Sequence, residues 1–305
     1  MTGSSLATPH PWHLGATTSV TPETAGWTYC GLEVSALAAG EPRTFSTGAR
    51  EMAVLPLSGG AVTVETEGRR FELAGRSSVF AAVTDWAYLP VDAEVRLSSA
   101  TGAEVALPSA LASRRFDPVA VAAADVAIEV RGAGPATRQV TNFMSPEVFD
   151  GADKLMCVEL LTPAGNWSSY PPHRHDDSQD CPVNNEEIYY FRIGRSGTTD
   201  YAPEGFALHR TYTLPGAGDG DGDGDVDVDA TVAVGDGDVF VIPRGYHGPC
   251  VAAPGYPLYY LNVLAGPAED RSMAFCDDPA HHWVRDTWEH MAPDPRVPMT
   301  SAGRT

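Results

Sequence analysis

The sequence predicts an all-β protein built as two tandem antiparallel barrels of the jelly-roll kind. Three observations predict it. Thirty glycines and 25 prolines in 305 residues punctuate the chain into short elements. Apolar and polar residues alternate with period two through runs such as "EMAVLPLSGGAVTVETEGRRFEL" (51–73) and "VFAAVTDWAYLPVDAEVRLSS" (79–99). The same pattern then resumes over a second stretch of comparable length.

In the first half, Gly59-Gly60 and Gly68 interrupt the alternation where hairpin turns belong. The stretch 108–138, rich in Pro, Ala and Arg, reads as the connection between halves, giving an N-terminal unit over 1–130 and a C-terminal unit over 131–305. In the second half, strands are expected at 154–163, 187–193, 206–213, 231–234, 238–243 and 258–266. A short helix is expected only in "HHWVRDTWEHM" near the end.

A formal net charge of −20 sets the long-range field against nucleic acid, and equally against anionic small molecules unless arginines offset it locally. No run approaches a membrane span, and the opening residues lack the pattern of a secretory leader. The five cysteines at 30, 157, 181, 250 and 276 are scattered and odd in number, which suggests free thiols in a reducing, cytoplasmic setting. In "GDGDGDGDVDVD" (218–229), Asp219, Asp221, Asp223 and Gly224 match the start of a calcium loop. Ala230 stands where its bidentate Glu should be, so the run reads as a solvated hairpin insertion.

Chemistry concentrates in "YPPHRHDDSQDCPVNNEEIYYFR" (170–192). In an extended segment alternate side chains share a side, so His173 and His175 can face one point, and Pro171 and Pro172 keep the approach out of helix. Glu187 heads a strand on which Tyr189 and Phe191 share its face. A lone carboxylate aimed into an aromatic interior is costly unless it meets a cation. His247 follows the turn Pro243–Gly245 that ends a strongly apolar strand. Together these four form an N/O donor set for one divalent metal, zinc above manganese or iron, with positions left for substrate. Tyr246, Tyr189 and Tyr260 are the candidate proton carriers, and Arg244, Arg174 and Asn262 the candidate substrate contacts. Arg192, alternating with Glu187, is expected to point the other way.

The spacing H-x-H, then Glu187, then six residues and Gly194, resembles the end of the first cupin motif. "GDGDVFVIPRGYH" resembles the second, reading G-x5-P-x-G-x-H from Gly237. Two departures stand out: eleven residues separate His175 from Glu187, and one separates Gly245 from His247, where the general pattern has three or four and two. With "GNWSSYPPHRHD", "EEIYYFR", "PRGYH" and "APGYPLYYLNVLAG" in this order, the chain resembles the 5-deoxy-glucuronate isomerases of bacterial inositol catabolism, relatives of the 4-deoxy-hexuronate ketol-isomerases. The resemblance implies a bicupin whose second barrel carries the metal on His173, His175, Glu187 and His247, a metal-free first barrel, no nucleotide cofactor, and a homo-oligomer. It also implies conversion of 5-deoxy-D-glucuronate to 2-deoxy-5-keto-D-gluconate. A 4-deoxy-hexuronate isomerase, an iron-dependent cupin dioxygenase using the same donors, and a non-catalytic sugar-acid-binding bicupin stand as alternatives.

Overall fold

The computed structural model of the chain describes residues 11–214 and 228–300. The Gly-Asp run from 218 to 227 lies outside them, and the described chain resumes at Val228, just before the strand Asp229–Val234. Each half is built on two antiparallel sheets, and the second adds a separate two-stranded hairpin. In the first half, a six-stranded sheet centred on Arg50–Gly59 and Ala103–Leu111 faces a four-stranded one containing Val62–Thr66 and Arg69–Leu73. In the second, a seven-stranded sheet faces a six-stranded one, of which Trp167–Ser168 is a strand paired off the main path. The large sheet contains Arg138–Asn142, Met156–Thr162, Leu258–Ala265, Glu186–Ile193 and Asp238–Ile242 in spatial sequence. The small sheet contains His173–Arg174, Tyr246–Ala252, Ala207–Tyr212 and Asp229–Val234.

The six strands expected in the second half fall where the period-two alternation puts them, while Tyr246–Ala252 is a further strand outside those expected. The partition between halves is less simple than a cut at residue 130. The strand His13–Ala16 from the chain's start joins the edge of the second barrel's large sheet beside Asp238–Ile242, where His13 Nε2 lies 2.8 Å from Asp238 Oδ2. Ala127–Arg131 forms the opposite edge of the same sheet. The stretch 108–138 is thus not a plain connection: it includes strand residues at Val119–Val121 and Ala127–Arg131.

Three apolar clusters hold the molecule together. One fills the first barrel around Val54, Val64 and Leu97, and one fills the second around Phe191, Phe240 and Tyr260. The third lies between the barrels, where Leu55, Leu57 and Trp86 of the first meet Ile188, Tyr190, Leu261 and Val263 of the second. This explains why Leu258–Ala265 reads as a continuous apolar run: both of its faces are buried. Polar side chains also tie the halves. Glu186 turns away from the second barrel and accepts hydrogen bonds from the backbone N–H groups of Thr28, Tyr29 and Cys30 at 2.7 to 2.8 Å. Arg192, pointing the same way, pairs with Asp236 and with Glu104 of the first half.

The cysteine reading needs correction. Cys181 and Cys276 form a disulfide across 95 residues of sequence, while Cys30, Cys157 and Cys250 are buried free thiols. The spacer "DDSQDCPVNN" folds into a small hairpin, Asp176–Ser178 with Cys181–Asn184, and the disulfide fastens it to the strand Cys276–Asp277. Closing so long a loop restricts the unfolded chain. Replacing both cysteines by serine is expected to lower stability by about 2–4 kcal/mol, read as a drop in melting temperature that a reductant reproduces in the unaltered protein.

No helix of the described residues is long and apolar enough to cross a membrane. The expected C-terminal helix is short, Val284–Thr287 followed by one 3-10 turn, Trp288–His290. The segment around it is a strap across the second barrel. Asp278 N–H donates to Pro172 O, Asp294 N–H to Thr137 Oγ1, and Met299 and Thr300 N–H to Gln139 Oε1.

Candidate metal centre

Strand register brings the site together. On the large sheet Tyr189 pairs with Asn262, which pairs with Val158, and Phe191 pairs with Tyr260, which pairs with Leu160 and then Val140. Side chains two apart on one strand share a face, so Glu187 joins the Tyr189 and Phe191 side, which faces the second barrel's interior. From the opposing sheet, His173 pairs directly with His247. The turn before His247 needs glycine: Gly245 has φ +97°, and a Cβ there would sit 2.6 Å from the carbonyl oxygen of Tyr212.

His175, Glu187 and His247 converge, their ligand atoms lying within 4.8 Å of one another, all buried. His175 Nε2 is 3.0 Å and His247 Nε2 3.1 Å from the same oxygen, Glu187 Oε2. His175 Nδ1 is 2.8 Å from the backbone carbonyl of Asn185, which can only accept, so Nδ1 carries the proton and Nε2 is turned to the centre. His173 stands beside this trio, not within it. Its ring is 4.4 Å from that of His247 and 4.7 Å from that of Phe275, and its Nδ1 is directed at Pro171 O, 3.2 Å away.

The electrostatics are those of a cation site. Burial works to raise the Glu187 pKa, but the adjacent imidazoles outweigh it and hold the carboxyl far below its usual range. Burial likewise lowers His247 and, with help from the His247 charge, drives His173 well below an ordinary imidazole, so His173 is held neutral. For His175 burial is overcome by the hydrogen bond and charge of Glu187, and the net shift is upward. His247 is 1% exposed on its side chain, and neither of its ring nitrogens has an aligned hydrogen-bond partner. A buried carboxylate with no lysine or arginine among its described ion-pair partners, next to an orphaned imidazole, is expensive unless a cation completes it. The residues fit a divalent metal held by His175, Glu187 and His247.

The centre opens into a cavity of about 470 Å³, of a size for a small ligand. Tyr189, Tyr260 and Asn262 line it, as does His173. Tyr189 and Ser169 share a hydrogen bond of 3.1 Å, and Tyr260 and Ser168 one of 2.5 Å. Asn262 Oδ1 is buried without a partner. Tyr246, Arg244 and Arg174 lie elsewhere, around a smaller depression with Asp176 and Thr213. Strand alternation is the reason: Tyr246 precedes an inward His247, and Arg174 sits between two inward histidines. Tyr246 stacks on Tyr212, and the Arg174 guanidinium lies 4.8 Å from the Tyr246 ring centroid.

The cavity wall also contains residues the sequence reading did not single out. Arg131 and Arg138 lie opposite one another on neighbouring strands, and Arg285 comes from the C-terminal strap. The only local hint was positional: Arg138 ends the stretch 108–138 read as a connection, and Arg285 sits in "HHWVRDTWEHM", read as a short helix.

Two stacked antiparallel barrels, the second enclosing under a cavity a buried His/Glu group that could hold a metal, define a bicupin. The chain belongs to the KduI/IolB family, whose model matches residues 8–284. It is 38% identical over 276 residues to the 5-deoxy-glucuronate isomerase of Geobacillus kaustophilus (strain HTA426), covering 90% of this chain and 92% of that one. It is 33% identical over 269 residues to the 5-deoxy-glucuronate isomerase of Bacillus subtilis (strain 168), covering 87% and 91%. Among solved structures, an IolB-like protein from Salmonella typhimurium LT2 superposes with a TM-score of 0.76 at 33% identity, over 88% of this chain and 95% of that one. Lactobacillus farciminis oxalate decarboxylase, at 14% identity and a TM-score of 0.56 over 83% and 81%, shares the fold.

Proposed function

We propose that the protein is a metal-dependent aldose-ketose isomerase that converts 5-deoxy-D-glucuronate to 2-deoxy-5-keto-D-gluconate. The observation that carries this reading is the buried His175–Glu187–His247 trio at the wall of a cavity with arginines in its lining, in a member of the KduI/IolB family. His175, Glu187 and His247 hold the ion, zinc by preference, and His173 supplies a fourth nitrogen from beside them. When bound, a divalent cation supplies Lewis-acid polarisation of a carbonyl and electrostatic support for an oxyanion.

The chain's own groups bind and orient the substrate. Shifting a carbonyl to the adjacent carbon needs a proton taken from one carbon and one returned to its neighbour. Burial first, and the Glu187 charge next, push the Tyr189 phenol well above its usual pKa, so it keeps its proton and serves as a donor toward a substrate oxygen. Ser169 fixes the phenol's direction and Ser168 does the same for Tyr260. Asn262 Oδ1, without a protein partner, is placed to accept from a substrate hydroxyl. Walls of Val140, Val158 and Leu160 keep the interior apolar, which strengthens each of these contacts.

Replacing Tyr189 by phenylalanine is expected to lower kcat by about 10²-fold with metal content unchanged; unchanged turnover would remove Tyr189 from the reaction. The reading as a whole is tested by an anaerobic assay that follows ketone formation from 5-deoxy-D-glucuronate and from a 4-deoxy uronate. Turnover of the first under nitrogen supports it. Turnover of the second alone, or a requirement for oxygen, contradicts it.

A further inference from the structure

Arg138 is an unusual cation. It is 5% exposed, lies in the wall of the metal-centre cavity, and makes no ion pair with any described carboxylate. Its Nη1 donates to Ala136 O at 3.0 Å, while its Nε is buried with no acceptor. The edge formed by Nε and Nη2 is therefore the unused one. Its two cationic neighbours are already neutralised. Arg131 is gripped by both oxygens of Glu129 at 2.9 and 2.7 Å, and Arg285 by both oxygens of Asp277 at 2.5 and 2.6 Å.

The cluster thus carries one uncompensated positive charge inside a chain of net charge −20. Leaving a guanidinium buried without a paired anion is costly, and burial, with the charges of Arg131 and Arg285 adding to it and Tyr260 and Glu129 opposing it, pulls its pKa down to about 10. A strip of rings connects it to the metal end. Arg138 and Arg285 flank Trp288, with guanidinium carbons 5.6 and 5.3 Å from its ring centroid, and Arg285 also lies over Phe275, which touches His173.

We infer that Arg138 binds the carboxylate of the sugar acid through its Nε–Nη2 edge, and that this contact makes the cavity select uronates over neutral sugars. The inference rests on the sugar-acid reading above and assigns the end of the substrate remote from the metal. An arriving carboxylate offers two parallel acceptors to the planar fork, satisfies the orphaned Nε and cancels the lone charge. Arg131 and Arg285, each held by its own carboxylate, fix the walls around it.

The test compares ligands that differ only in charge. D-glucuronate and D-glucuronamide are titrated calorimetrically into the intact protein and into Arg138→Gln. The unaltered protein is expected to favour glucuronate by about tenfold or more, and the variant to lose about 10- to 100-fold for glucuronate with little change for the amide. With 5-deoxy-D-glucuronate as substrate, the variant's KM is expected to rise by more than its kcat falls. A variant that keeps the preference for the acid overturns the assignment, as does equal weakening of both ligands, which would mark a structural role. If Arg138→Gln does not fold, Arg138→Lys is read on the same ratio; a preference as strong as the parent's counts against a guanidinium fork. Because binding is read apart from turnover, absence of isomerisation by the parent would sink the isomerase reading while leaving this measurement decisive.

Discussion

Replacing Glu187 by glutamine, or His175 or His247 by alanine, is expected to abolish stoichiometric metal binding and to cut kcat/KM by about 10³-fold or more, several kcal/mol of barrier. The three donor atoms share one small volume, and no other group of this kind occurs among the described residues. The Glu187→Gln variant is the sharpest of these. It keeps the side chain's shape while removing the carboxylate, so a loss of metal binding reports on that donor alone. What it should lose is ligand-linked stabilisation: excess metal raises the parent's melting temperature, by about 2.7 kcal/mol of stability at a hundredfold excess over Kd, and should leave the variant unmoved. Elemental analysis and thermal melts check both halves. A Glu187→Gln protein that still binds one equivalent and still turns over would show that the trio is not the metal centre.

The second large effect concerns how the barrels hold together. Arg76 from the first half and Glu159 from the second form a buried ion pair, with side chains 2% and 3% exposed. Arg76 Nε donates to Pro56 O and Nη1 to Ala82 O, while Tyr259 OH donates to Glu159 Oε1 at 2.9 Å. No side-chain nitrogen or oxygen of Arg76, Glu159 or Tyr259 is left fully buried without a partner. Arg76→Ala strands Glu159 as a buried charge and is expected to cost about 3–5 kcal/mol, a large share of the 5–15 kcal/mol typical of a domain. The double change Arg76→Met with Glu159→Leu removes both charges and should recover much of the loss. Chemical denaturation checks it. A double variant no better than the single would locate the cost in packing instead of charge.

Much of this was legible in the sequence, for reasons that particular residues make plain. Period-two alternation and glycine turns gave the strands, and burial of both faces explains the unbroken run "LYYLNVLA". His175 and Glu187, two of the three residues that converge, were legible because H-x-H on an extended segment and an acid at the head of an aromatic strand are local patterns, whereas His173 of the same H-x-H stands beside the trio. The same alternation should have turned Arg174 and Tyr246 away from the site, and the structure does so. Other features have no local signature. The Cys181–Cys276 bond depends on a hairpin meeting a strand 95 residues away. Arg138 matters because no described carboxylate is paired with it, which only packing reveals. The strand His13–Ala16 lies in the opposite barrel from its sequence neighbours because Asp238–Ile242 offers it an edge.

One measurement bears most directly on the centre: stepwise return of zinc to chelated protein, with ketone formation from 5-deoxy-D-glucuronate followed under nitrogen. Activity should be near zero without metal and rise linearly to a plateau at one equivalent per chain. Full turnover by protein shown to be free of metal would contradict it.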